Sequence, residues 1–198
     1  MSDKNLHSIA DFLFEVGMLA KTPRSGFFFL GSGEQSVAEH LNRVTYIGFV
    51  LAQMTENVDE SKVIKMCMFH DLSEARISDL NYVHQKYTTR LETEATNDLA
   101  ATLPFGNKIT EILNEYSAKQ STEAMLAKDA DNLEFLLSLK EQKDNGNERA
   151  TIWIANTLKR LKTPAGIELG ETIVHADSDH WWFGDDKENN WWVHRNKN

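Results

Sequence analysis

The stretch on which the fold turns is Ser36-Val37-Ala38-Glu39-His40-Leu41-Asn42-Arg43-Val44-Thr45-Tyr46-Ile47-Gly48-Phe49-Val50-Leu51. Ser36 is an N-cap residue with Glu39 three positions on, so side chain and backbone can satisfy each other's donors in a capping box. Val37, Leu41, Val44, Gly48 and Leu51 then recur at helical spacing and form one stripe. At about 100° per residue, His40 falls inside the arc of Val37, Val44 and Ile47, so an imidazole faces the core. Taken alone, an inward His is more often a hydrogen-bonded core residue than a ligand.

The same periodicity extends in both directions. Ile9, Leu13, Val16 and Ala20, with Phe12 and Leu19, predict a first helix over residues 5–21. Residues 22–36 contain Pro23, Gly26, Gly31 and Gly33 and read as a loop around Phe27-Phe28-Phe29-Leu30. A third helix is expected from near Ser61, with Val63, Cys67, His70 and Glu74 on one face. Residues 79–89 are ambiguous, and a helix is expected over 90–103, ended by Pro104. Ile109, Ile112, Leu113 and Tyr116 give a short helix. Ser121 or Thr122 caps a long one reaching about Lys143, closed by Asp144-Asn145-Gly146-Asn147. Residues 148–161 and 164–175 complete the helical pattern. The fold class is therefore all-α, a bundle of about seven to nine helices without a convincing strand run. No repeat or linker divides the 198 residues, which read as one domain with a Trp-rich tail from about residue 176.

Composition restricts the partners. With 30 acidic against 21 basic residues the formal charge is −9, too acidic for a general basic surface that holds a nucleic-acid polymer. A small anionic substrate remains compatible, because one metal ion and one or two cations reverse the local field. Cys67 is the only cysteine, which excludes an intrachain disulfide and points to a reducing compartment. No run approaches the ~20 apolar residues that span a bilayer, and residues 1–20 lack the continuous apolar core of a signal peptide. The expectation is a cytoplasmic protein without a membrane partner.

His40, the dipeptide His70-Asp71 and one carboxylate of the long helix are the residues that suggest chemistry. Two imidazoles and two carboxylates suit Mn, Co, Fe, Ni, Zn or Mg, and side chains from different helices can converge while leaving room for water and substrate. On the wheel His70 and Glu74 lie within about 40° of each other, and a buried unpaired carboxylate is too costly to be mere packing. Asp129 and Asp131 both compete for the fourth place. Asp129 lies nearer the stripe of Ala130, Leu133, Leu136 and Leu137, but Phe135 and Leu139 make a second face apolar too.

Four motifs stand in register: Pro23-Arg24-Ser25-Gly26, Ser36-Val37-Ala38-Glu39-His40, Phe69-His70-Asp71-Leu72-Ser73-Glu74-Ala75 and Ala127-Lys128-Asp129-Ala130-Asp131-Asn132-Leu133-Glu134. Together they resemble the HD-domain metal-dependent phosphohydrolases, and within them the 5′-deoxynucleotidase-like branch, from about Phe12 to Arg149. The resemblance implies an HD-domain helical bundle in which His40, His70, Asp71 and Asp131, rather than Asp129, bind a divalent metal. It implies that Glu74 is the catalytic acid/base residue, that Arg24 contacts the substrate and that Asp79 approaches the sugar. Members of the family often carry Trp soon after that Arg; this chain has Phe27.

The implied activity is release of phosphate from (deoxy)nucleoside 5′-monophosphates. Hydrolysis of nucleoside triphosphates or pyrophosphorylated nucleotides would use the same metal site, but the sequence has no obvious basic cluster for several phosphates. A non-catalytic nucleotide- or metal-binding regulator is the reading from another class, and an intact Glu74 argues against it. Tyr82, His84, Lys86 and Tyr87 form either a lid over substrate or a solvated helix start. Lys128 reads as a surface lysine before a phosphate ligand. Trp181, Trp182, Trp191 and Trp192 suggest C-terminal packing or a subunit contact, hence a homodimer.

Overall fold

A computed structural model describes residues 3–184, and its regular elements are helical apart from an isolated bridge between Pro23 and Ser36. In chain order the helices are α1 (Asp3–Val16), α2 (Phe27–Leu30), α3 (Val37–Gln53), α4 (Glu60–Phe69), α5 (Glu74–Ile77) and α6 (Tyr82–Tyr87). They continue with α7 (Glu92–Ala101), α8 (Gly106–Ala118), α9 (Thr122–Asp144), α10 (Ala150–Leu158), α11 (Pro164–His175) and α12 (His180–Phe183). Eight of these have nine or more residues, matching the expected number of long helices. The rest are too short to show periodicity. Among them α2 occupies the stretch expected to be loop, and α6 resolves the ambiguous one.

Ser36 caps α3 as its side chain dictates. Its Oγ accepts from the Glu39 amide at 3.2 Å, and Glu39 Oε2 accepts from the Ser36 amide at 2.6 Å. The loop before it is pinned at both ends: the Arg24 amide donates to Gln35 O at 2.8 Å and the Val37 amide to Thr22 O at 2.9 Å. These bonds hold Arg24 beside the start of the helix that carries His40.

The 23-residue α9 is the central element, packed against α3, α4, α8, α10 and α11. A helix surrounded in this way is buried on several faces and so lacks one apolar stripe. Its Leu126, Ala130, Leu133 and Leu136 join Val44, Leu51, Val63 and Met66 in the larger apolar cluster. Val37, Leu41, Leu72, Leu99 and Leu113 build a second cluster. His40 lies in sequence between Val37 and Leu41 of the second cluster, one turn before Val44 of the larger one, and has no exposed surface (0%).

One expected element is corrected. His70 and Glu74 do not share a continuous helix, because α4 ends at Phe69 and α5 begins at Glu74. The intervening chain tightens to three-residue hydrogen bonds, from the Leu72 amide to Phe69 O at 2.9 Å and from the Glu74 amide to Asp71 O at 3.0 Å. The redirected backbone turns His70, Asp71 and Glu74 toward one cavity, which lists all three among its walls. No helix of the described residues is long and apolar enough to cross a membrane. Trp191, Trp192 and His194 lie outside the described residues.

Candidate metal centre and active site

α3, the turn after α4, and α9 bring His40, His70 and Asp131 together, with ligand atoms all within 4.8 Å of one another. His40 Nε2 lies 3.3 Å from Asp131 Oδ1 and 3.6 Å from Asp71 Oδ2. His70 Nε2 lies 3.5 Å from Asp71 Oδ2 and 3.8 Å from Asp131 Oδ1. Three of the four residues expected as ligands thus converge, and Asp71 stands beside both imidazoles without joining that convergence, whereas Asp129 turns elsewhere. Asp129 is buried and accepts from the Lys162 amide at 3.0 Å and from the Thr163 amide and hydroxyl at 2.7 Å each, tying down the start of α11.

The imidazoles are oriented from behind. His40 Nδ1 donates to Glu134 Oε2 at 2.5 Å, and His70 Nδ1 donates to the Cys67 carbonyl at 2.9 Å. Each ring is therefore held with its proton on Nδ1 and its lone pair on Nε2. Both Nε2 atoms are buried and make no hydrogen bond. Two bare imidazole nitrogens facing two carboxylates are a donor set that fits a borderline divalent ion.

The charges agree with that use. Burial opposes ionisation of Asp131, but Lys128 and the two imidazoles hold its carboxyl well below the usual carboxylate range. Burial likewise works against Asp71, and His70, Arg24 and His40 hold it low. Glu134 is buried too, yet its bonds to His40 and the Arg43 guanidinium keep it ionised, down to about 2. It also accepts from Gln35 Nε2 at 2.7 Å and Ser138 Oγ at 3.1 Å. Such a fully bonded carboxylate fixes the His40 ring without competing for a metal.

A cavity of about 500 Å³ opens from this cluster. Arg24 donates from Nη1 to Asp71 Oδ2 at 3.1 Å, and its Nε is 3.8 Å from Asp79 Oδ2. Asp79 Oδ2 also accepts from the Ser25 amide at 2.9 Å, so the arginine loop and Asp79 form one wall. Glu74 lines the same cavity at 4% exposure; burial first, then Asp71 and Asp79, push its carboxyl up to about 9. Phe27 supplies an aromatic wall. Tyr82 lines the cavity and its hydroxyl accepts from Arg160 Nη2 at 3.1 Å, whereas His84, Lys86 and Tyr87 are not among the lining residues.

Several participants escaped the sequence pattern. Lys128, read as a surface lysine, lines the cavity and donates to Asp131 Oδ2 at 2.6 Å. Arg90, Lys119 and Arg160 arrive from separate parts of the chain, so the cavity carries a basic cluster that no local run announces. Glu134 had a signal, lying three residues beyond Asp131, about one helical turn, in the same motif, but no spacing rule gave it a role.

The profile of the HD domain matches residues 16–171. The chain belongs to the HD-domain family. It is 27% identical over 177 residues to 5′-deoxynucleotidase HDDC2 of Bos taurus, an alignment covering 85% of each protein. The HDDC2 protein of Dictyostelium discoideum is 31% identical over 119 residues, covering 54% of this chain and 62% of the relative. Among solved structures, a conserved hypothetical protein from Pyrococcus furiosus superposes with a TM-score of 0.75 at 29% identity, covering 84% of this chain and 99% of its own. A predicted metal-dependent phosphohydrolase from Magnetospirillum magnetotacticum gives 0.69 at 21% identity, over 87% and 92% of the two chains, and supports the fold alone. In this HD domain the family's helical scaffold and the His-Asp cluster coincide.

Proposed function

We propose that this HD domain is a divalent-metal-dependent phosphomonoesterase that releases phosphate from (deoxy)nucleoside 5′-monophosphates. The observation that carries the reading is the pair of buried, bare Nε2 atoms of His40 and His70 facing Asp71 and Asp131, with His70 and both aspartates lining a substrate-sized cavity. The likeness to proteins named 5′-deoxynucleotidase supports the substrate class. His40, His70, Asp71 and Asp131 would hold the ion. Bound there, a divalent ion supplies positive charge for the phosphoryl oxygens and lowers the pKa of water.

The chain's own residues do the rest. Arg24 places paired N–H donors beside Asp71, where they can meet equatorial phosphoryl oxygens. Glu74, on the same cavity, is the acid/base group: it takes a proton from the water that attacks in line and gives it to the leaving 5′-oxygen. Asp79, held by the Ser25 amide, accepts from a sugar hydroxyl, and Phe27 packs against the sugar.

The cations Arg90, Lys119, Lys128 and Arg160 on the same cavity favour a second reading, hydrolysis of nucleoside triphosphates or pyrophosphorylated nucleotides. Asp71, Glu74, Asp79, Glu92 and Asp131 share those walls and offset that charge, which favours the monophosphate. Phosphate release is measured over nucleoside mono-, di- and triphosphates and sugar phosphates, with metal or with chelator. Chelator-sensitive turnover of monophosphates is expected, and pyrophosphate or triphosphate as the product would select the second reading. No metal-dependent release from any of them would leave a binding regulator.

The proposed unit is one domain of residues 1–198, cytoplasmic and homodimeric. Tyr46, Phe49 and Val50 of α3, with Met54 just after it, stand 42–68% exposed at helical spacing, and Trp181 is 85% exposed, apolar surface that suits a subunit contact. Light scattering at micromolar concentration is expected to give twice the chain mass; a monomer alone removes the dimer. Truncation before Ser178 tests the Trp-rich tail, and unchanged mass and stability would exclude it from assembly and packing.

A further inference from the structure

Arg90 stands two residues before α7, and its side chain lines the cavity. Its Nη2 donates to Glu74 Oε1 at 3.4 Å. On its other side Glu92 Oε1 lies 2.9 Å from Nε, restraining the guanidinium without the alignment of a hydrogen bond. Among the described residues this is the side-chain hydrogen bond that Glu74 receives; Glu74 Oε2 is buried and has no partner. The carboxyl group is thus held by one oxygen while the other is left for a ligand.

Local structure gives Glu74 little other support. It opens α5, a helix of four residues that ends at Ser78 with φ of 65°, a strained left-handed position for a residue with a Cβ. Asp71 and Asp79 are charged neighbours that repel it, while the Arg24 and Arg90 guanidiniums attract it. Of the two cations Arg90 is the one whose hydrogen bond to Glu74 fixes an oxygen.

We propose that Arg90 is a positioning residue that holds Glu74 by Oε1 so that Oε2 faces the reacting atoms. The inference rests on Glu74 as the acid/base group of the proposed hydrolase. The plain alternative is an ion pair that only ties α5 to the start of α7. The two differ in their readouts, since misplacing a catalytic group by about 1 Å costs on the order of 10²-fold in rate, whereas a lost tie lowers stability alone.

The test compares Arg90→Ala, Arg90→Gln and Arg90→Lys with the full-length wild-type protein, each loaded with the same metal. Expected are a 10- to 100-fold fall in kcat for Ala and Gln, KM and metal content near wild type, and partial recovery in Lys or on adding free guanidinium. Crystal structures of the metal-loaded variants are expected to show the Glu74 carboxylate displaced, with His40, His70 and Asp131 in place. A rise in KM and loss of phosphate affinity at unchanged kcat would make Arg90 a substrate contact and overturn the proposal. A lower Tm with normal kcat and an unmoved Glu74 would reduce it to the structural tie. If even the wild-type protein hydrolyses no phosphate ester, the functional reading fails by itself. The position of Glu74 in the variants then still decides: displacement supports the Arg90 hold, and an unmoved carboxylate overturns it.

Discussion

Replacing His40, His70, Asp71 or Asp131 by alanine is expected to abolish metal-dependent phosphate release, while Asp129→Ala leaves the metal in place. The expectation follows from how each donor is held. Glu134 and the Cys67 carbonyl take the Nδ1 protons, so neither imidazole has another use for Nε2, and losing one removes a neutral ligand that no neighbour replaces. Asp131 provides a carboxylate held ionised by Lys128 and both imidazoles. Asp71 faces both Nε2 atoms and also anchors Arg24, so its loss should weaken metal and substrate binding together. Asp129 does a different job. Without it the amides of Lys162 and Thr163 lose their acceptor, at about 1–3 kcal/mol for each buried group left unsatisfied. Asp129→Ala should therefore lower Tm without emptying the metal site. Elemental analysis, thermal unfolding and turnover on the same preparations decide it. Full metal content in Asp131→Ala with loss in Asp129→Ala would reverse the ligand assignment.

The contrast between these two aspartates shows where a sequence can be read and where it cannot. Helical periodicity placed Asp129 inward, and it is inward, at 1% exposure. Inward on α9 is several directions, however, because that helix has neighbours around most of its circumference. Only the register of the four motifs separated the aspartate facing His40 from the one facing α11. Elsewhere the local chemistry was enough. Ser36 with Glu39 marked the start of α3, and the pattern from Pro164 gave that of α11, where the Thr163 hydroxyl proves to accept from the Gly166 amide at 3.0 Å. The turn over residues 70–73 was missed because its i, i+3 hydrogen bonds keep apolar spacing close to that of a continuous helix. Arg90, Lys128 and Arg160 had no local signature at all. Each is an ordinary basic residue until the bundle closes and brings it to the wall of the cavity.

Glu74 carries the second large effect. Glu74→Ala is expected to retain metal and nucleoside monophosphate yet lose roughly 10²–10⁴ in kcat, the usual contribution of a positioned acid/base residue. Its place supports this more directly than helical spacing did. It is 4% exposed, opens α5 on the cavity that Arg24 also lines, and keeps Oε2 without a partner. Its bonded partner is Arg90, whereas Asp71, like Asp131, stands beside both imidazole Nε2 atoms. Were it a further metal ligand, its removal would cut metal content along with activity. Were it only a structural carboxylate, Glu74→Gln would keep most of the turnover, because the amide preserves shape and can keep a carbonyl oxygen toward Arg90. Arg24→Ala provides the contrast, with weaker substrate binding as well as slower turnover, since its guanidinium meets phosphate in ground and transition states alike. Its Nη1 bond to Asp71 requires metal content to be measured in that variant too. Near-normal turnover by metal-loaded Glu74→Gln would sink the acid/base role even with all four ligands in place.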